Sequence, residues 1–573
     1  MNLQPGILFA ALLGLQAVGA ANITVTSTAD NGPGTLRAAL LTASDGDTID
    51  FALLTPAKIT LTSGELVVSR GLSILGPGPS NLLIDGAHQW GVFVIQFPYG
   101  ATNNAVTISG LTITNGYARN GSGGLSAEGA ILTVSNCMLA GNRSASEGGA
   151  IRSSGQLQII SSTVKDNSAV FRGGGVFNRY GAVLITHCTF TGNSAYDGGA
   201  IYSGGELLRV ANSIVSGNSA WYGGGIVNRA FNATASLILI RSSVSRNRAF
   251  PDVVGYSFGG GILNEGSDTS RANLAITDCT IERNVAPEGG GIWNSAVGGT
   301  TYVGITNSTI SGNAAFCPPE YEECFGSETG GAIFNSASPN SFAYRGTGTV
   351  YVVNSTLADN TSAGNGSGIY VEGTPGAAKV VIASSIFAAG KSNGPMFRIV
   401  GWGSAISLGY NVCSDAGSGL LTDTTDRINT DARLGQLQDN GGPTFTHAPL
   451  PGSPAVDNGR NFSGSTNDQR GFARTVNIAG IPNAAGGDGT DIGAVETLDA
   501  GLCLVNFGVV SNRFGFNLIG PFNSVVVEAS TSLSNWTALA TNIITDEPFR
   551  FSDPSAEQSQ RFYRARLYSP WDY

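Results

Sequence analysis

Two short motifs recur in step along the middle of this 573-residue chain, and few folds can carry both. One is Gly-Gly-(Ala/Gly)-(Ile/Val), starting at Gly148, Gly173, Gly198, Gly223, Gly259, Gly289 and Gly330, with a degenerate copy at Gly366. The first four starts are 25 residues apart. The other is apolar-x-x-Asn, ending at Asn142, Asn167, Asn193, Asn218, Asn247, Asn284, Asn313 and Asn360. Leucine-rich repeats need Leu-x-x-Leu-x-Leu, and helical repeats need a sustained 3.6-residue apolar period; neither is present. Each period instead holds short β-branched or apolar runs bounded by Gly, Asn and Ser, such as Leu157–Ile160, Val183–Ile185 and Leu237–Ile240. Three short strands and three turns per period make one coil of a parallel β-helix. Coils then stack about 4.8 Å apart, so that equivalent residues form ladders. The expected fold class is all-β: a right-handed parallel β-helix of roughly a dozen coils, about 60 Å long, with a short capping helix before it and a small β-sandwich after it.

Two ladders can be read from the repeat. Five residues before the repeat asparagines stand Cys137, Ser162, Cys188, Ser213, Cys279, Ser308 and Ser355, which reads as an inward position too tight for anything larger. The asparagines form the second ladder, with side-chain amides bonding to one another along the axis. Asparagine also tolerates the left-handed backbone that a sharp corner requires. Both ladders are read as structural. Cys137 and Cys188 sit two coils apart, about 9.6 Å by the stacking distance. That is beyond the roughly 7 Å reach of a disulfide, so both should be free thiols.

The offset from repeat Asn to Gly-Gly is five or six positions in most coils. It grows to twelve between Asn247 and Gly259 and to seventeen between Asn313 and Gly330, so both insertions leave the same corner. The longer one carries Cys317 and Cys324, which an exported chain can join as a disulfide closing a short loop.

The ends differ from the middle. The run Ile7–Leu13 followed by Val18-Gly19-Ala20 reads as a signal peptide over residues 1–20. No later stretch has eighteen uninterrupted apolar residues, so no membrane span is expected. The β-helix is expected over 21–433, with a helix near residues 34 to 43 covering its open first coil. A Gly/Pro/Asp/Asn-rich region over 434–496 closes the solenoid, and alternating strands over 501–573 suggest the β-sandwich. The 81 glycines have no every-third-residue period, which excludes collagen. A net charge of −10 argues against nucleic acid as partner.

Several stretches resemble known families. Gly148–Ile151, Gly198–Ile201, Gly330–Ile333 and Phe190-Thr191-Gly192-Asn193 look like the repeats of polymorphic outer-membrane proteins. Asp439–Thr444, Pro451–Asp457, Asp468–Arg474 and Asp491–Glu496 closely resemble the choice-of-anchor Q domain, a C-terminal region of bacterial surface β-helix proteins. That resemblance implies a secreted protein or one held at the bacterial cell surface. The last 70 residues look like a C-terminal module of secreted bacterial proteins.

Right-handed β-helices include polysaccharide-degrading enzymes, but fold analogy alone is a weak warrant. Lyase chemistry on uronans needs Ca²⁺ held by several carboxylates, and hydrolysis needs two carboxylates about 5 to 9 Å apart. In the repeats the acids are sparse: Glu147, Asp166, Asp197, Glu206, Asp278, Glu282 and Glu288. His88, His187 and His447 are far apart, with no metal-ligand spacing. No catalytic residue, metal site or cofactor is therefore assigned; Ca²⁺ would enter only under the lyase alternative. The leading expectation is a non-catalytic, monomeric, adhesin-like protein that contacts extracellular polysaccharide, matrix or cell-surface glycans. A secreted polysaccharide lyase or glycoside hydrolase, and a structural spacer, are the alternatives.

One constellation points to a binding site. Before consecutive Gly-Gly motifs stand Glu147, then Phe171-Arg172, Tyr196-Asp197 and Trp221-Tyr222. Stacking puts Glu147, Arg172 and Asp197 in a row of alternating charge beside a row of Phe171, Tyr196 and Trp221. Exposed rings in line suit the faces of sugars. The insertions add Phe250, Tyr256, Phe258, Phe316, Tyr321 and Phe325 at the same corner. The candidate ligand-binding residues are Phe171, Arg172, Tyr196, Asp197, Trp221 and Tyr222.

Overall fold

A computed structural model describes residues 20–97, 104–231, 233–250, 255–317, 324–325, 327–342, 344–374, 377–390, 394–478, 481–497, 503–510, 513–519, 524–532, 535–543, 549–553 and 561–567. The expected signal peptide, apart from Ala20, lies outside them.

The chain winds as a right-handed parallel β-solenoid of about 13 turns. Among the described residues the turns build three sheets of 14, 13 and 12 strands. One coil shows the plan. Ile131–Ser135 lies in the first sheet, Met138–Ala140 in the second and Ile151–Ser153 in the third, with the two-residue strand Arg143–Ser144 at the corner between the last two. Gln156–Ile160 then reopens the first sheet one coil further on, paired in register with Ile131–Ser135.

The period-2 alternation of each strand decides which side chains fill the interior. In the first sheet Val134, Ile159, Ile185, Val210, Leu239, Ile276, Ile305, Val352 and Ile382 stack on one another, all but fully buried. The Gly-Gly motif is explained by two separate demands. Its first glycine turns with positive φ, +68° at Gly148 and +63° at Gly173. Its second glycine leaves no space for a side chain, since a Cβ at Gly174 would lie 2.4 Å from the Gly199 carbonyl oxygen.

Both small-residue ladders are buried at the corners. Asn218 Nδ2 donates to Asn247 Oδ1 (2.9 Å) and to the Phe190 carbonyl (3.1 Å), while Asn218 Oδ1 accepts from the backbone N–H and Nδ2 of Asn193 at 3.0 and 2.9 Å. The same pattern runs from Asn142 to Asn360. The left-handed backbone does not belong to these asparagines, as their sequence had suggested. It falls on the residue before each: Gly141, Asp166, Gly192, Gly217, Arg246, Arg283, Gly312 and Asp359. An inward-pointing amide needs ordinary strand-like backbone, so the corner's turn is displaced to its neighbour. The Ser/Cys ladder works alike, with Cys188 N donating to Ser213 Oγ (3.0 Å) and Cys279 N to Ser308 Oγ (3.1 Å); Ser242 belongs to it as well.

At the N-terminal end the helix Leu36–Thr42 buries Leu36, Ala39 and Leu40, and the side chain of Thr35 caps it by accepting from Ala38 N. Residues 434–496, expected to close the solenoid, contact coils well before its end. They fold back along the outer face of the second sheet. There Gln469 Nε2 donates to the Cys279 carbonyl (3.0 Å), Thr309 Oγ1 donates to Gln469 Oε1 (2.6 Å), and Gly493 N donates to the Ser384 carbonyl (2.9 Å). The reason lies in the strands beneath. Thr280–Glu282, Thr309–Ser311 and Thr356–Ala358 are buried at all three positions, whereas their earlier counterparts, such as Thr163–Lys165, bury only the middle one. Those outward hydroxyls and carbonyls find their partners in the folded-back segment. The segment holds Asp468, Arg470, Arg474, Asp491 and Glu496 in buried positions. Burial, opposed by the Arg474 charge, pushes the Glu496 carboxyl up to about 8. Two three-stranded antiparallel sheets follow, sharing a core of Phe516, Leu518, Val525, Val527 and Phe551.

Two outcomes follow from these ladders. Asn218→Ala strands a buried backbone N–H and a buried carbonyl. At roughly 1–3 kcal/mol for each unmet group, the solenoid should lose about 3–5 kcal/mol in denaturant unfolding, while the outward Lys165→Ala changes little. Cys137, Cys188 and Cys279 are free and buried, and burial pushes their thiols up to about 11, 11 and 12. A thiol reagent at neutral pH should therefore label them only once the protein is unfolded, and peptide mapping should find no Cys137–Cys188 bridge.

Candidate functional site

The corner between the second and third sheets is where the outer surface becomes concave. After each ladder asparagine the chain runs on around the coil for two or more residues before the Gly-Gly turn. These short strands stack in turn, pairing Tyr117 with Arg143, Arg143 with Ser168, and Ser219 with Arg248. Isolated bridges from Ser168 to Ser194 and from Ser194 to Ser219 complete the row. Their outward side chains line two clefts that share Val170. One, of about 780 Å³, is lined by Ala169, Val170, Ser194, Ala195, Tyr196, Ser219, Ala220, Trp221, Arg248 and Phe250. The other, of about 530 Å³, is lined by His88, Tyr117, Arg143, Ala145 and Val170. Together they make a groove along the solenoid axis.

Tyr196 and Trp221 form its platform, with ring centroids 4.9 Å apart and planes at 35°. Tyr196 is 40% exposed and Trp221 half-buried. Phe250 stands in the next coil above Trp221, and the Arg248 guanidinium lies over its ring at 5.0 Å. Phe171 is 55% exposed but lines neither cleft.

The other five candidate residues divide between two faces. Adjacent residues in extended chain point to opposite sides. Tyr196 and Trp221 thus face the groove, while Arg172, Asp197 and Tyr222 turn toward the outer face of the third sheet. The alternating charges there make an ion-pair chain. Arg172 bridges Glu147 (3.2 Å) and Asp197 (3.7 Å), and Arg229 bridges Asp197 (2.9 Å) and Glu265 (2.8 Å). Arg152 extends the chain to Glu128 and Glu147. Burial opposes the Arg229 charge, yet Glu265 and Asp197 raise its pKa. Asp197 is raised by its own burial despite the two arginines. These groups are committed to one another.

Beside this chain runs an aromatic and aliphatic row that the sequence reading missed: Phe177, Tyr202, Val227, Leu263, Trp293 and Phe334, all buried. Phe258 stacks on Trp293 at 4.6 Å and Phe334 on Tyr370 at 5.1 Å. Its signal was present as the large apolar residue directly after the motif's Ile or Val. Tyr222 packs against this row, and burial together with the Tyr196 hydroxyl pushes its phenol up to about 12. The two insertions meet above it, Gly255–Tyr256 pairing in parallel with Cys324–Phe325. Cys317 is disulfide-bonded. The side chains of Cys324 and Phe325 lie outside the described residues, as does Tyr321. Among the described residues no group of three or more His, Cys, Asp or Glu is placed to hold a metal ion, and no helix is long and apolar enough to cross a membrane.

A signature for the repeat of the Chlamydia polymorphic membrane protein matches residues 187–204, the unit that contains Asn193 and Gly198. Among solved structures, the chain is similar to the catalytic domain of a GH87 α-1,3-glucanase in complex with tetrasaccharides, at 12% identity over 68% of this chain and 69% of that one (TM-score 0.37). It is also similar to a PL6 family polysaccharide lyase from Pseudopedobacter saltans, at 11% identity over 66% and 93% (TM-score 0.29). These are likenesses of backbone alone. No curated protein sequence matches the chain.

The two rows of rings should answer differently to truncation. Trp293→Ala empties a buried slot and is expected to cost about 3–5 kcal/mol in thermal or denaturant unfolding. Trp221→Ala should cost about 1 kcal/mol or less, since its ring is half in solvent.

Proposed function

We propose that this chain is an exported β-solenoid that holds extracellular polysaccharide in the groove at its second corner, without chemically altering it. The observation that carries this reading is the Tyr196–Trp221 pair, two rings in adjacent coils left open to solvent within a groove of about 780 Å³. Rings in successive coils repeat about every 4.8 Å, close to the length of one sugar unit. Each ring face can contribute on the order of 1 kcal/mol against the apolar face of a sugar. Glu147 and Asp197, which stand directly before Gly-Gly motifs, are tied up in ion pairs with Arg172, which favours holding over cleavage.

Placement outside the cell is part of the same proposal. It is supported by the apolar leader over residues 1–20, the choice-of-anchor Q pattern over 434–496 and the disulfide at Cys317, whose pairing with Cys324 would close the longer insertion. An adhesin-like role in contact with matrix or cell-surface glycans fits a rigid rod with a lengthwise groove.

Affinity electrophoresis or calorimetry against a panel of polysaccharides tests the reading. The double variant Tyr196→Ala/Trp221→Ala should bind about tenfold or more weakly than wild type, at unchanged thermal stability. Full affinity in the double variant would place the site elsewhere. A loss of several degrees in Tm would make the rings packing residues. Incubation with the same polymers, with and without Ca²⁺, should leave their length unchanged; new unsaturated or reducing ends would show an enzyme.

A further inference from the structure

The charge of the groove is opposite to that of the chain. The protein carries 40 acidic residues against 30 Lys and Arg, for a net −10. Among the described residues both clefts are nonetheless lined by no carboxylate, and their charged or titratable residues are Arg143, Arg248 and His88. Five other solenoid arginines, Arg152, Arg172, Arg229, Arg241 and Arg283, sit in ion pairs with carboxylates. Arg143 and Arg248 are exposed and form no ion pair among the described residues. The Arg248 guanidinium sits over the Phe250 ring, 5.0 Å from its centroid, a contact that holds it in place while leaving N–H donors open.

The two arginines occupy the same rung of the corner ladder, with Ser168, Ser194 and Ser219 between them. They are thus four coils apart, about 19 Å at 4.8 Å per coil. The rings of Tyr196 and Trp221 fall inside that span. From this arrangement we infer that the groove takes an acidic polysaccharide, a single chain lying along the solenoid axis. Carboxylate groups of sugars about four units apart sit on Arg143 and Arg248, and the intervening sugars stack on the two rings. The inference rests on the groove being the glycan site.

Two other polyanions fit less well. A peptide laid along this corner would need free backbone donors, as strand addition does. The backbone N–H groups of Arg143, Ser168, Ser194, Ser219 and Arg248 already donate to the carbonyls of Gly116, Asn142, Asn167, Asn193 and Asn218 in the neighbouring coil. A nucleic acid carries a phosphate at every unit and draws its affinity from neutralising many of them, which two arginines on an acidic protein do not supply.

The test uses polygalacturonate and its fully methyl-esterified form, which keep one backbone and differ in charge. Wild-type protein should bind polygalacturonate, more weakly as salt rises, and the esterified polymer about tenfold less well. Arg143→Gln/Arg248→Gln should lose about tenfold or more on polygalacturonate and nothing on the esterified form, at unchanged Tm. Tyr196→Ala/Trp221→Ala should weaken both. If wild type prefers the esterified polymer, or the arginine variant keeps its affinity for the acidic one, the charge inference fails and the glycan groove stands. If neither polymer nor any neutral glycan binds, the functional reading itself falls. Single-stranded DNA or poly-glutamate bound as tightly as polygalacturonate, with the same dependence on Arg143 and Arg248, would make this a general anion site and overturn the inference.

Discussion

The amide ladder is the interaction on which the rest of the solenoid depends. A stack of coils has no covalent device to keep one from sliding over the next, and a slip by one residue would turn every interior side chain outward. Each asparagine from Asn142 to Asn313 donates to the next coil's amide oxygen, and that same oxygen accepts the donor asparagine's backbone N–H. Its remaining amide hydrogen goes to a carbonyl one coil back, as Asn193 does to Val164. All these groups are buried, so a shift in register would leave several unmet at once. The aliphatic stacks supply most of the stabilisation, and the ladder supplies the register.

The Gly-Gly turn is the counterpart of the ladder. The second glycine lets neighbouring coils approach until Cβ has no room, 2.2 Å from the next carbonyl oxygen at Gly149. With an asparagine clamp on one side and this contact on the other, the few residues between them are pinned at both ends. What they do in the middle matters little to the core. A pinned loop can lengthen cheaply, since each doubling costs only about 0.6 kcal/mol in closure entropy. That is why both insertions leave this corner. The first corner, filled by the Ser/Cys ladder, admits none.

How much of this was readable beforehand follows the same division. Positions that repeat because the interior demands them, the asparagines, the glycines and the small residues ending at Ser355, announced the solenoid, its coil order and its ladders. The N-terminal helix was legible from Thr35 and the apolar pair Leu36 and Leu40. Two things were hidden. Nothing in the periodicity says whether a residue outside the repeat, such as Gln469, ends the stack or lies along it; that depends on partners about 190 positions earlier, such as the Cys279 carbonyl. Nor does it say that Trp221 and Tyr222, side by side in the chain, serve different faces, one lining the groove and the other packing on the buried ring row. The alternation of extended backbone separates them, and the sequence reading had grouped them by adjacency.

The groove lies where these constraints are weakest. On the third sheet's outer face the side chains are packed in a ring row or locked in ion pairs, and on the second sheet's far half residues 434–496 cover them. The second corner has its backbone hydrogen bonds satisfied along the stack, so its outward side chains are not required for folding. Tyr117, Arg143, Ser168, Ser194, Ser219 and Arg248 share one rung and have no chemistry in common, unlike the asparagines one position before most of them. A position repeated in structure but free in chemistry is one the fold leaves open to a ligand. Recognition along the axis of such a rod is built from a row of this kind, one side chain per coil.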